Sequence, residues 1–286
     1  SKMRKIIKAY QPDVIHTHRY VLPYAFLASM GFKAKRVHTV HNVAQKEQTK
    51  VGKNINRVLF RYFNVVPVAL SKEIQRTIQE VYGLPDNRIP VVFNGIDLSR
   101  CIVKESYARK DTFTVLHIGR FMDVKNHELL LRSFARFKGQ HSDARLQLLG
   151  DGELKENMMQ LAGQLNITDA VEFAGLQSNV YPWLHNADVF ILPYKFEGMP
   201  MTLIEAMGTG LPIIASNVGG IPDMLSSQKE ALLIEPKEEK IIEALEMVYS
   251  DAKKREYWGR NALQRSSLFS SQAMARKYLQ LYSSGR

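Results

Sequence analysis

The chain predicts an α/β protein of two successive β/α series, the second a complete doubly wound sheet, and three observations carry that expectation. Short apolar runs alternate with segments of helical period along nearly the whole length. At 286 residues the chain is longer than one ordinary domain, which favours two domains or one large barrel. Its composition, 45% hydrophobic and 23% charged, is that of a globular protein and excludes wholesale disorder, collagen and coiled coil. No apolar run approaches the roughly eighteen residues that span a bilayer, and the basic start of the chain has no apolar signal core behind it. The single cysteine, Cys101, has no partner for an internal disulfide, which suits a reducing compartment and makes the cytoplasm the expected location.

In the first third, strands are expected at 14–18, 37–40, 67–70 and 89–93, with helices at 2–10, 22–30, 54–63 and 72–82. The spacing between apolar runs is long enough for parallel crossovers. A turn signal, Asn94-Gly95-Ile96-Asp97, leads into a polar linker over 99–111. The second series has strands at 114–118, 146–149, 171–173, 189–192, 213–215 and 231–234. Its helices fall at 128–137, 153–164, 202–207 and 239–249, with two more from Ala252 onward. A complete doubly wound sheet places ligands at the carboxyl ends of its strands. The first series opens on a helix and lacks a Gly-rich turn, so the first unit is either small or a fragment without its amino-terminal elements.

Charge divides the chain the same way. Overall, 39 Lys and Arg face 28 Asp and Glu, a formal balance of +11. Residues 1–104 carry 18 against 6, leaving 21 against 22 for the remainder, so the excess belongs to the first third. Such a field attracts phosphates, anionic lipid or nucleic acid. No helix-turn-helix, zinc-finger or RNP-like pattern accompanies it, which argues against nucleic acid.

The most specific stretch is Phe196-Glu197-Gly198-Met199-Pro200-Met201-Thr202-Leu203-Ile204-Glu205-Ala206-Met207, which follows a strand and opens a helix. Thr202 and Glu205 also fit a Thr-x-x-Glu capping box, with Glu197 then a solvated loop acid. Against that reading stands the location, because main-chain N–H groups and a helix dipole at such a junction receive anions.

This run resembles the paired-Glu signature of retaining, nucleotide-sugar-dependent glycosyltransferases of the GT-B fold, family 4-like and of the group 1 type. Further matches follow in order: His117-Ile118-Gly119-Arg120-Phe121 with Lys125, Leu149-Gly150-Asp151-Gly152, Phe173-Ala174-Gly175, Ala187-Asp188-Val189 and Val218-Gly219-Gly220-Ile221-Pro222. The resemblance implies two Rossmann-like domains facing a cleft, the first incomplete. It assigns residues 1–104 to a partial acceptor-side domain, 105–265 to the donor domain and 266–286 to a terminal helix that crosses back. It implies hexosyl transfer from a nucleoside diphosphate sugar, first a UDP-sugar, with retention by front-face displacement, and with neither a cofactor nor a bound metal. The acceptor would be a hydroxyl of a glycan or lipid-linked chain in cell-surface polysaccharide synthesis.

Arg120 and Lys125 would bind the donor diphosphate, with a solvated surface role as the plain alternative. Glu205 would accept hydrogen bonds from the ribose diol, and Glu197 would contact the transferred sugar near its reacting carbon. Gly198, Met199, Met201 and Thr202 would offer main-chain N–H groups, which Pro200 lacks. The loop from Leu176 would pack the nucleobase. Of the eight histidines, His41 at its strand end matches the amino-domain His of the family, while His16, His18 and His38 read as structural. No Cys or acidic cluster beside either His pair supports a metal site. Gly150-Asp151-Gly152 lacks the third glycine of a dinucleotide fingerprint, because Lys155 stands there.

Lys50, Lys53, Arg57 and Arg61 recur beside Val51, Ile55, Val58, Leu59 and Tyr62. The pattern fits a surface helix with its apolar face on the sheet, or a contact with an anionic membrane at its inner face. Two other functions share the fold: a sugar-nucleotide epimerase and a non-catalytic donor-binding subunit.

Overall fold

The structure is a computed structural model and describes residues 2–41, 43–108 and 111–284, with the side chain of Lys46 also outside the description. The chain forms two compact units. One comprises the residues up to Asn94 together with those from Met274 onward, and the other runs from Gly95 to Ala273.

The first unit contains α1 Lys2–Tyr10, β1 Val14–His18, α2 Leu22–Ala28, β2 Lys35–Val40, α3 Ala44–Glu47, α4 Lys50–Tyr62, β3 Val65–Ala69 and α5 Lys72–Tyr82. Its strands form a parallel sheet in the order β1-β2-β3. Val37, Val68 and Val92 are buried in a core that also takes Met274, Tyr278, Leu281 and Tyr282 from the end of the chain. α5 is bounded as its sequence dictates: the Ser71 hydroxyl caps Ile74 N–H, and Gly83 takes the left-handed conformation at φ +66°.

Two expectations change here. The segment 89–93 is not a strand, because only a single bridge, between Ala69 and Val91, joins it to β3. Pro90 has no N–H to donate, so its carbonyl alone serves the ladder by accepting from Ala69. The apolar face of α4 is also not all turned inward. Leu59, Phe60 and Asn56 are buried, whereas Val51, Ile55, Val58 and Tyr62 lie exposed beside the cations, Val51 at 69% and Tyr62 at 72%.

The second unit runs β4 Phe113–Ile118, α6 His127–Gln140, β5 Ala144–Leu149, α7 Lys155–Gln164, β6 Val171–Gly175, α8 Tyr181–Asn186 and β7 Val189–Leu192. It continues through α9 Met201–Thr209, β8 Ile213–Ser216, α10 Ile221–Met224, β9 Leu232–Ile234, α11 Glu238–Ser250 and α12 Ala252–Ser266, and α13 Ser271–Ser283 leads into the first unit. Its sheet is parallel in the order β6-β5-β4-β7-β8-β9. The strand order reverses between β4 and β7, and this switch point opens a crevice at their carboxyl ends. Fully buried Val115, Leu146, Val189, Ile191 and Ile214 fill the sheet faces, with Leu130, Phe134 and Leu245 covering them from α6 and α11. Strands buried on both faces read as continuous apolar runs, which is why the sequence reveals them.

Candidate active site

The loops leaving β4 and β7 are tied together at the switch point. Asn126, left-handed at φ +58°, donates from Nδ2 to the Pro193 carbonyl at 3.0 Å, and Lys195 N–H donates to the Val124 carbonyl at 2.9 Å. Lys195 Nζ reaches Asp123 Oδ1 at 2.5 Å. This stitching brings Lys125 onto Glu197, with Nζ 2.5 Å from Oε2 and 3.8 Å from the centre of the buried Tyr194 ring. The second oxygen, Oε1, accepts the N–H of Gly198 at 3.0 Å. Glu197 is therefore a partly buried acid that arrives already paired, not a free loop carboxylate.

Glycines let three main-chain segments approach this point. A Cβ on Gly219 (φ +57°) would lie 1.9 Å from the Glu197 carbonyl oxygen, and Gly220 N–H donates to that oxygen at 2.9 Å. On the other side of β4, a Cβ on Gly150 would lie 2.1 Å from the Gly119 carbonyl oxygen. The Gly150-Asp151-Gly152 turn thus runs against Gly119-Arg120-Phe121, with Phe121 N–H donating to the Asp151 carbonyl at 3.0 Å. Arg120 extends into solvent, 3.4 Å from Glu153.

Beside that turn lies a cavity of about 580 Å³, lined by Ile118, Arg120, Asp151, Leu176, Gln177 and Val180 among others. Leu176 is 78% exposed at its edge. Val180 precedes α8, whose Tyr181 lies under Arg100, 5.1 Å from the ring centre. Arg100 also acts electrostatically on Glu205, a half-buried acid on α9 whose carboxyl burial pushes above the usual range and Arg100 pulls back. No hydrogen bond or ion pair of the Glu205 carboxylate is present among the described residues. The capping-box alternative is not realised, since α9 is capped by Pro200 without a side-chain bond and Thr202 lies inside the first turn. Met201 and Thr202, at the start of that turn, have N–H groups with no intrahelical acceptor. Gly198 N–H is taken by Glu197, and Met199 is buried.

The first unit gathers a different set. His16 and His18 project from β1 and His41 follows β2, with His18 Nδ1 and His41 Nε2 2.8 Å apart. His16 bridges Tyr282 Oη at 2.7 Å and Thr39 Oγ1 at 2.8 Å. Burial, then the neighbouring His18 and His41, lowers His16 to about 4, and burial first also lowers His38 to about 3. His18 and His41 are lowered chiefly by burial. Burial thus favours the neutral form of all four rings. Glu47, which the sequence did not single out, accepts the His41 N–H at 2.8 Å through Oε1. Tyr194 and Asn126 were also missed, although their places beside Pro193 and before α6 were the available signal.

The model of the Glycosyl transferases group 1 family matches residues 101–265, and that of Glycosyltransferase Family 4 matches residues 1–100. The N-acetyl-alpha-D-glucosaminyl L-malate synthase of Bacillus anthracis is 30% identical over 255 residues, covering 82% of this chain and 64% of that protein. The putative glycosyltransferase EpsF of Bacillus subtilis is 34% identical over 231 residues, covering 75% and 60%. The chain thus spans less than two thirds of the length of either relative. Among solved structures, Anabaena Alr3699/HepE in complex with UDP and glucose matches with a TM-score of 0.85 at 18% identity, covering 99% of this chain and 81% of that one. That likeness shows the fold, which is GT-B. With the model match over residues 101–265, more than half of the chain, the protein belongs to the group 1 glycosyltransferases.

Proposed function

We propose that the chain transfers a hexosyl group from a nucleoside diphosphate sugar, a UDP-sugar first, to a hydroxyl of a glycan or lipid-linked acceptor in cell-surface polysaccharide synthesis, with retention at the anomeric carbon. The observation that carries this reading is the Lys125–Glu197 pair at the switch point, set among glycine turns and beside an apolar cavity. A donor diphosphate needs a cation and free N–H groups, and Lys125, Arg120 and the first turn of α9 supply them. As the bond from the anomeric carbon to the diphosphate oxygen breaks, these groups stabilise the leaving charge. The acceptor oxygen forms the new bond on the same face, and its proton passes to the departing diphosphate oxygen.

Glu205 is the ribose ligand in this scheme. Its half-buried carboxylate gains two hydroxyl donors when the donor nucleotide binds, and the nucleobase occupies the cavity at Leu176. Glu197 then orients the transferred sugar while sharing Lys125 with the diphosphate. His41 is proposed as a catalytic residue of the first unit. The exposed apolar stripe and cations of α4 suit an acceptor on an anionic membrane, and liposome co-sedimentation that depends on anionic lipid and falls with salt is the expected result. No helix of the described residues is long and apolar enough to cross a membrane.

Calorimetry with UDP tests the donor site: Glu205→Ala and Lys125→Ala should each weaken binding, and unaltered affinity in both would refute it. Mass spectrometry of products from a donor panel then tests the reaction. Glycosylated acceptor is expected. An isomerised nucleotide sugar would mean an epimerase, and binding without product a donor-binding subunit.

A further inference from the structure

Glu47 is an acid where the fold offers little reason for one. It closes the single turn α3, is only 6% exposed, and directs its side chain back over the chain to the first residue beyond β2. Oε1 takes the His41 N–H at 2.8 Å, and Oε2 is buried with no hydrogen-bond partner among the described residues. A main-chain N–H leaving a parallel strand ordinarily finds a carbonyl, water or the start of a helix. Here a side chain is used instead, held by packing around α3: Ala44 N–H donates to Thr77 Oγ1 at 3.1 Å, and Gln45 donates from Nε2 to Glu80 at 3.1 Å.

We propose that Glu47 is a positioning residue that fixes the His41 main chain, and with it the His41–His18 ring pair, at the end of β2. The proposal rests on the reading of His41 as a catalytic residue. Its physical content is that one residue sets another's backbone torsion. His41 Nε2 lies 2.8 Å from His18 Nδ1, and the His18 ring stands 4.4 Å from that of His16. A shift of the His41 backbone therefore moves a chain of three rings.

A carboxyl with one oxygen buried and unpartnered is stable as the neutral acid, since a carboxylate there would leave charge desolvated. Burial raises Glu47 to about 7, while the His41 N–H and the Arg19 cation oppose the rise. Of the titratable and charged groups on the elements packed here, Arg19 after β1, His41 after β2 and Tyr82 on α5 interact with Glu47, while Glu80 on α5 and Lys53 on α4 bond the neighbouring Gln45, Arg57 on α4 bonds the Val81 carbonyl, and His18 on β1 bonds His41. Of these, Arg19 and the His41 amide act on Glu47 to favour the charged form. Glutamine reproduces the neutral acid, keeping the acceptor oxygen and losing the proton. Alanine removes the acceptor and leaves the amide buried and unpaired.

The test uses the whole chain labelled with nitrogen-15 at histidine, without donor or acceptor, the His41 amide being assigned by its loss in His41→Gln. In the wild type this amide should titrate with an inflection near pH 7. In Glu47→Gln that inflection should vanish with the amide still protected from exchange, and in Glu47→Ala the exchange should quicken about tenfold or more. Transfer assays add the consequence: Glu47→Ala lowers kcat about tenfold at unchanged donor KM, and Glu47→Gln recovers most of it. An amide whose shift and exchange ignore both substitutions would overturn the proposal whatever the activity. If Glu47→Ala does not fold, the Gln variant still decides through the inflection. A confirmed amide effect with no change in kcat would instead count against His41 as catalytic, so the two failures stay distinct.

Discussion

The two units assemble their candidate sites from different materials. In the second, main chain does most of the construction: Gly150 and Gly219, both at positive φ, run against the carbonyls of Gly119 and Glu197, and the Lys125–Glu197 ion pair sits beside them. In the first, β1 and the end of β2 carry imidazoles, His18 bonded to His41 and His16 to Tyr282, with one buried acid beneath His41. A site made of N–H groups and paired charges is suited to an anion. A site made of neutral rings is suited to moving or accepting protons and to hydrogen-bonding hydroxyls. Separate substitutions should therefore divide donor affinity from turnover.

The largest effect is expected at Lys125. Lys125→Ala removes the cation proposed for the diphosphate and leaves Glu197 partly buried without its partner, so UDP affinity should fall on the order of ten- to a hundredfold. His41→Ala should leave that affinity unchanged while lowering turnover. Equal loss of UDP binding in both variants, read by calorimetry, would break the distinction between the units.

Gly219 comes next. Alanine there adds a Cβ 1.9 Å from the Glu197 carbonyl oxygen at a left-handed φ, so Glu197 must move or the turn must open. The expected cost is about 1–3 kcal/mol, seen as a lower Tm together with weaker UDP binding. Gly139 is the matched control. It lies on α6 with nothing within 4 Å of its Cβ position, so Gly139→Ala should be neutral or raise the Tm slightly.

The pH dependence of stability separates buried groups of opposite sign. His38, lowered to about 3, His117 to about 4 and His127 to about 2 are all buried as neutral rings, burial being the largest cause in each. Because their folded values lie below the unfolded 6.5, the stability they carry is complete above pH 6.5 and is lost as the pH falls from there. Glu47, raised to about 7, works the other way: its share is complete below about 4.5 and is lost as the pH rises to 7. Urea midpoints should therefore drop from pH 6.5 to 5, and His127→Leu should flatten that drop. An unchanged slope in that variant would remove His127 from the account.

Much of the second unit was legible because its strands are buried on both faces and its turns use glycine. Val189–Leu192 is recovered to the residue, and Gly119, Gly150 and Gly219 stand in the motifs that mark the family. The pairing of Glu197 with Lys125 was not legible, since 72 residues separate them and only the β4-β7 adjacency brings them together. Glu47 escaped for another reason: its acceptor role depends on a side chain reaching back six residues, which leaves no periodic trace. The segment 89–93 misled because apolar, β-branched residues around Pro90 have strand propensity while the proline withholds a ladder donor.

The smallest effect is expected at Leu176. This side chain is 78% exposed at the edge of the cavity, so a nucleobase settling there would bury only part of it. At roughly 25 cal/mol per Å² of apolar surface, losing that contact in Leu176→Ala should weaken UDP by only a few-fold. The informative quantity is the ratio between uridine and adenosine diphosphates. If main-chain groups of the loop after β6 choose the base, truncating Leu176 weakens both nucleotides equally and the preference stays. A changed preference would make Leu176 a reader of the base. The second unit would then select its donor by a side chain, as the first unit's ring cluster works through side chains, and the contrast between a main-chain site and a side-chain site would no longer hold.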